Sequence, residues 1–328
     1  ATAIRPDLPG AVDQVIQTAT AKFPDNRYPD ALALAQAFRA AFQPEGQERT
    51  GVRAEPFPPL QNPFVGLRPF QEVDAANFFG REALTRSLVE RLAESRFLAV
   101  IGPSGSGKSS VIRAGLIPAL RSGALPGSDR WFVTGMTPGA RPLEELEAAL
   151  LRVAVNPPPS LLDQLEADLR GLQRAVGRTL PDDDSELLLV IDQFEELFVQ
   201  CADEETRRFF LDSLATAIST SGTYLRLVIV LRADFYDRPL QYPAFGRLLR
   251  ASQETVLPLT AGEMAATIRE PAARAGLALD PELVPAILAD LHRQPGALPL
   301  LQYTLSELVE QGSDDALTLA TYDEMGGI

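Results

Sequence analysis

Runs of apolar residues set the frame of this chain. Phe97-Leu98-Ala99-Val100-Ile101 and Leu187-Leu188-Leu189-Val190-Ile191 are apolar at every position, and Leu225 to Leu231 nearly so. Such runs predict strands buried on both faces, as at the centre of a covered parallel sheet. Trp131–Thr134 and Glu254–Leu257 read as shorter strands. Helical spacing falls between them, at 81–95, 142–153, 160–175 and about 203–220. Strand alternating with helix from Pro63 onward predicts an α/β unit, a parallel sheet flanked by helices.

From about Thr260 the strand signal fades. Helical stretches near 262–275, 281–292 and 297–311 predict a small helical domain, with Pro258, Pro271, Pro281 and Pro295 at its element boundaries. At the other end, residues 1–43 predict two helices. One carries Val12, Val15, Ile16 and Ala19 on one side, and the other Leu32, Leu34, Ala35, Phe38 and Phe42. Pro56, Pro58 and Pro59 mark 44–62 as a semi-extended linker. The expected organisation is therefore 1–43, a linker at 44–62, an α/β core at 63–259 and a helical unit at 260–328. Asp182-Asp183-Asp184 reads as a solvated acidic turn.

Composition narrows the function classes. A net charge of −14 disfavours a broad nucleic-acid footprint, which needs a basic face. With one cysteine, Cys201, internal disulfides are excluded and a reducing, cytoplasmic setting is expected. Cys201 itself reads as a packing residue. The single histidine, His292, reads as a surface residue and leaves no basis for a His-centred metal site or a Ser/His/Asp triad. No apolar run is long enough to span a membrane, and no signal-peptide layout is present. The sequence starts at Ala1 and stops at Gly326-Gly327-Ile328, which reads as a piece of a longer protein.

The candidate chemistry is concentrated in one run. Gly102-Pro103-Ser104-Gly105-Ser106-Gly107-Lys108-Ser109, followed by Ser110, fits the phosphate-binding pattern G-x-x-x-x-G-K-[ST] without a mismatch. It sits between an apolar strand and a predicted helix start. There a glycine-rich turn lets backbone N–H groups and the helix dipole face an anion. Lys108 would reach the β- and γ-phosphates, and the Ser109 hydroxyl would ligate magnesium. The second apolar run ends in Asp192-Gln193-Phe194-Glu195-Glu196, an acid at the carboxyl end of a strand, as the Walker B pattern requires. Asp192 would hold the magnesium. Glu195 or Glu196 would orient or deprotonate the attacking water, with a lean towards Glu196; both could equally be solvent-facing charges of a helix start. Arg232 ends the third run and could sense the γ-phosphate, or simply pair with Asp234 or Asp237. Phe79, Gly80 and Arg81 precede the first helix. They could pack beside a base and approach the phosphates, or act as a helix staple. Pro299 starts a helix and could press on the base from the lid side.

These elements, in this order from Pro63 to Ile328, resemble the STAND class of P-loop NTPases, within its novel STAND clade. The resemblance rests on Phe79-Gly80-Arg81-Glu82, Gly102 to Ser110, Leu188 to Phe198, Arg232-Ala233-Asp234-Phe235-Tyr236 and the stretch Gln294 to Gln302. It implies a three-layered α/β/α core of the ASCE type followed by a helical lid. It also implies an ATPase that acts as a molecular switch, resting with ADP and oligomerising with ATP. By the same resemblance Lys108 and Ser109 bind phosphate and metal, Asp192 is the Walker B acid, Glu195 and Glu196 match the paired acids, Arg232 the sensor arginine and Pro299 the base-contacting proline. A winged helix carrying a phosphate-contacting histidine, then sensor repeats, would follow the lid, so His292 does not inherit that role. Gln193 stands where fast ATPases of this type carry glutamate, which implies slow turnover. Absence of an N-K-x-D motif argues against a GTPase. A non-hydrolytic scaffold holding ADP is the alternative. Residues 3–42 are similar to the last two helices of a Ser/Thr protein kinase, through Pro6-Asp7-Leu8-Pro9 and Ala21-Lys22-Phe23-Pro24-Asp25-Asn26-Arg27-Tyr28. Without H-R-D or D-F-G triplets this chain is not itself a kinase.

Overall fold

Apolar on both faces, the predicted strands pair side by side, and their order fixes where a crevice opens. The computed structural model describes residues 15, 16, 18, 62–155, 160–181, 185–291, 298–312 and 316–327. The kinase-like and linker expectations for 1–61, apart from a helical assignment at 15, 16 and 18, lie outside the described residues, as do Asp182–Asp184, His292 and Gln294–Ala297. The chain divides into two units, 1–57 and 58–328, and the sheet, its helices and the lid all belong to the second.

Five parallel strands form the sheet: β1 (Phe97–Gly102), β2 (Phe132–Met136), β3 (Leu187–Ile191), β4 (Leu225–Arg232) and β5 (Gln253–Thr255), in the order β2-β3-β4-β1-β5. β4 thus lies between β1 and β3. Its register sets Gly102 opposite Arg232 and Ile191 opposite Ile229. All five carboxyl ends therefore open onto one edge of the sheet, where ligand crevices of parallel sheets form.

Successive residues of a strand point to opposite faces. Phe97, Ala99 and Ile101 join one core cluster with Leu187, Leu189, Ile191, Leu227 and Ile229. It is covered by α3 (Pro142–Leu151), α4 (Leu161–Ala167), α5 (Gly171–Thr179), α7 (Glu204–Ser219) and α9 (Pro243–Ala251). Leu98, Val100, Leu188, Val190, Val228 and Val230 join the other, under α1 (Glu82–Glu94) and α2. α2 is continuous: an α turn Lys108–Ser110, a π-helical stretch Val111–Leu116 and an α segment Ile117–Arg121. The result is a three-layered α/β/α core. Short helices α6 (Glu196–Val199) and α8 (Asp237–Leu240) follow β3 and β4.

Beyond β5 come α10 (Ala261–Ala275), α11 (Leu283–Leu291), α12 (Leu298–Gln311) and α13 (Leu319–Glu324), with a two-residue parallel pair β6 (Ala278–Leu279) and β7 (Ala316–Leu317). They bury a separate cluster including Ile268, Ile287, Leu301, Leu305 and Tyr322. Phe64 belongs to that cluster although it lies ahead of the sheet in sequence. The Asn62 amide donates to Ser306 Oγ at 2.9 Å, and the Val65 N–H to Gln302 Oε1 at 3.3 Å. The stretch 62–65 therefore rides on the lid.

Three local expectations change. The helix expected at 160–175 is two, α4 and α5. Asp168 is extended and its carboxylate accepts the Arg170 N–H at 2.8 Å, a local bond that competes with helix. A Cβ at Gly171 would lie 2.2 Å from Gln164 O, so α5 starts hard against α4. Pro271 does not bound a helix; it sits inside α10 with its ring buried in the lid. α9 went unread, although Pro243 opens it at the first turn and Phe245 and Leu249 carry its buried face. Among the described residues no helix is long and apolar enough to cross a membrane.

Phe245 is fully buried, stacked on Phe194 at 5.4 Å and edge-on to Phe97 at 5.7 Å. Phe245→Ala is expected to destabilise the core by about 3–5 kcal/mol, seen as a lower urea midpoint with an unchanged m-value.

Candidate functional site

The turn between β1 and α2 is built to come close to something. Gly107 holds φ +86° and Gly105 φ +72°, left-handed values that glycine adopts without strain. Lys108, largely buried, turns back into this loop, and its Nζ donates to Pro103 O at 2.7 Å and Gly102 O at 3.0 Å. Burial pushes its pKa down, while the Glu195 carboxylate pulls it up. Ser106 supports the loop from behind with its carbonyl. Its buried Oγ has no hydrogen-bond partner among the described residues.

Opposite the loop, Ser109 Oγ donates to Asp192 Oδ1 at 2.8 Å. The Gln193 N–H donates to the same oxygen at 3.0 Å, and Arg113 Nη2 to Oδ2 at 2.9 Å. A hydroxyl and a carboxylate side by side are the oxygen donors that magnesium takes from protein when phosphate supplies the rest, so these residues fit that ion. Gln193 adopts φ +51°, unusual for a residue with a side chain. That turn carries Glu195 onto the cavity wall, where its Oε2 accepts the Arg232 N–H at 3.2 Å. Glu196 opens α6 and is not on the wall, so the lean towards it is not matched by its position. Arg232 does line the cavity, and it also makes a bidentate pair with Asp234 at 3.0 and 2.7 Å. Its place on the wall and its carboxylate partner coexist.

The Phe79-Gly80-Arg81-Glu82 stretch works as a clamp. Buried Arg81 donates to Ser106 O at 3.0 Å and to Leu257 O at 2.9 Å, tying the loop to the chain that leaves β5 for the lid. Desolvation lowers the Arg81 pKa, and Glu263 opposes that shift. Gly80 holds φ +81°, and a Cβ there would lie 2.5 Å from Glu263 O of α10. Glu82 accepts the Gly80 N–H at 3.0 Å. Phe78 and Phe79 both line the cavity, and Phe78 also packs edge-on against Phe70 at 5.2 Å.

These groups surround a cavity of about 370 Å³, within the size range of small-ligand pockets. Ser104, Gly105, Gly107, Lys108, Ser109 and Ser110 form its floor, with Asp192, Gln193, Glu195 and Arg232 on one side. Pro299, Leu298 and Gln302 approach from the lid. Gly102, Pro103, Ser106 and Gly80 stand behind the wall and shape it. Residues 65–70, Asn77, Val230, Leu259 and Thr267 also enclose it and were not anticipated. Nor was Arg113, although its place four positions after Ser109 on one helix was a readable signal.

A profile of the family described as Novel STAND NTPase 1 matches residues 63–328. No curated protein matches the chain. Among solved structures, the Walker-type ATPase PABY2304 of Pyrococcus abyssi aligns at a TM-score of 0.52 and 17% identity, over 75% of this chain and 71% of that one. The Aeropyrum pernix ORC2 protein, in ADPNP-ADP complexes, aligns at 0.48 and 15% identity, over 75% of this chain and 62% of that one. Drosophila ORC bound to DNA gives 0.42 and 15% identity, over 88% and 72%. At 17% identity the likeness to PABY2304 is one of fold.

Gly80→Ala places a methyl against the α10 backbone and strains a left-handed residue. We expect about 1–3 kcal/mol of destabilisation, with faster amide exchange in 261–275 than in β1 or β3. Unchanged exchange there would contradict the clamp.

Proposed function

The chain belongs to the Novel STAND NTPase 1 family, and from that premise we propose that it is an ATP-binding, slowly hydrolysing molecular switch of a STAND signalling protein. The observation that carries this is the 2.8 Å contact of Ser109 with Asp192 beside the loop that holds Lys108, all facing one cavity. A triphosphate on that floor would take the Lys108 ammonium on its β- and γ-oxygens in exchange for the Gly102 and Pro103 carbonyls. Magnesium, held by Ser109 and Asp192, would neutralise phosphate charge. Glu195, on the cavity wall, would accept a proton from an attacking water. Arg232 would trade Asp234 for a phosphoryl oxygen, since its planar fork suits either. Phe79 and Pro299 would flank the adenine.

Slow turnover is proposed because Gln193, which cannot act as a base, follows Asp192 directly. The lid is the proposed moving part: ATP would favour an open form that self-associates, and ADP a closed one, as the STAND resemblance implies. An upstream kinase would be the effector and downstream repeats the sensor, in the cytoplasm. The second reading, a scaffold that holds ADP without hydrolysis, draws on the same Gln193.

Lys108→Ala is expected to weaken ATP binding by at least about thirtyfold in titration calorimetry; wild-type affinity would refute the site. In single-turnover assays Glu195→Gln should slow phosphate release by about a hundredfold or more, and Glu196→Gln far less. If neither slows it, the scaffold reading stands. Chromatography of nucleotide released from the denatured protein would identify the base and the resting state.

A further inference from the structure

Asp192 has more partners than magnesium binding alone calls for. Ser109 and the Gln193 N–H occupy Oδ1, while Arg113 holds Oδ2. Ser109 and Arg113 lie one turn apart on α2, so one helix face supplies a donor to each oxygen. Arg113 is itself steered, since its Nη1 donates to Gln71 Oε1 at 3.3 Å. Gln71 caps the 3-10 turn Glu72–Asn77. Neither Arg113 nor Gln71 lines the cavity. Arg113 would therefore act on a ligand there without touching it, chiefly through the Asp192 charge that it balances.

Building on the nucleotide-site reading above, we infer that Arg113 is a positioning residue: it neutralises Asp192 and aims Oδ1 at Ser109, so that the site accepts a nucleotide polyphosphate with or without magnesium. The physical case is charge balance. A buried carboxylate left unpaired beside a polyphosphate repels it, and a divalent cation is then needed to bring the two together. With the guanidinium on Oδ2 that repulsion is largely cancelled before any metal arrives. The Asp192 side chain is 11% exposed and that of Arg113 38%. Solvent screens the pair in part, so the effect is graded rather than absolute.

The test measures dissociation constants for ATP and ADP in magnesium and again in EDTA. Arg113→Met should weaken metal-free binding about fivefold more than magnesium-loaded binding, raising the ratio of the two constants. Arg113→Gln should act in the same direction, and stands in if the methionine variant fails to fold. Arg113→Lys should restore the ratio towards wild type. In an Asp192→Asn background, Arg113→Met should leave the ratio unmoved, because the charge it compensates is gone. An unchanged ratio in both neutral variants, or equal weakening in the two buffers, overturns the inference while leaving the nucleotide site intact. A wild-type protein that binds no adenine nucleotide in either buffer overturns both.

Discussion

The Asp192 carboxylate joins two strands that never touch. β4 separates β1 from β3, yet Ser109, just past β1, reaches Asp192, just past β3, across its end. This works because β4 extends past the last rung it shares with β3, Ile229 opposite Ile191, up to Arg232 at the level of Gly102. The chain leaving β3 climbs that step: the Phe194 N–H donates to Val230 O at 2.9 Å, and Glu195 then meets the Arg232 N–H. The climb requires the left-handed turn at Gln193, which costs on the order of 1–2 kcal/mol for a residue with a side chain. Burial of Phe194 against Phe245 offsets it, at roughly 1.5–3 kcal/mol. A core aromatic thus determines which of two adjacent glutamates faces the cavity.

The second constraint is the hold of the lid on the loop. α10 starts with a reciprocal cap, the Thr260 N–H to Glu263 Oε2 at 2.7 Å and the Glu263 N–H to Thr260 Oγ1 at 3.3 Å. The backbone carbonyl of the same Glu263 lies against Gly80. Arg81, next in the chain, spans from the loop to Leu257. At the far end of the lid the touch is lighter: Leu298 Cδ1 would sit 3.7 Å from a Cβ built on Gly107. Among the described residues, the lid's root is held to the loop by hydrogen bonds and close backbone packing, and the start of α12 touches it through Leu298.

Much of this was legible because it is local. Strands apolar on both faces, a glycine-rich turn and an acid at a strand end declare themselves within a few residues. What stayed hidden depends on distant partners. Nothing around Asn62 or Val65 signals that they bond to Ser306 and Gln302, far along the chain, so Asn62 read as the end of the linker and 63–70 as the start of the α/β core. The break at Asp168 and Gly171 was written in residue types that favour turns, but the helical apolar spacing outweighed it. Pro271 misled in the opposite sense, since packing within the lid overrides its propensity to end a helix. Glu195 could not be separated from Glu196 without the backbone sign at Gln193.

A switch of the proposed kind faces an energetic condition that the site itself constrains. Moving a two-state lid from one part in a hundred to its inverse takes about 5.5 kcal/mol of differential binding. The Arg232–Asp234 pair is exposed and screened, so trading it for a phosphoryl oxygen is cheap but can supply little of that difference. The Arg113–Asp192 pair would contribute only if it differed between the two states, since what binds both alike shifts nothing. In such a switch the larger share would have to come from buried Lys108 leaving its two carbonyls, because Pro299 on the lid side is exposed and Leu298 only half-buried. Phe64, buried in the lid while its neighbours 65–70 wall the cavity, puts the entering chain in the same balance. In a switch of that kind, a change in how the lid tip seats on a ligand would bear on residues 62–70 through the contacts of Asn62, Phe64 and Val65 with the lid.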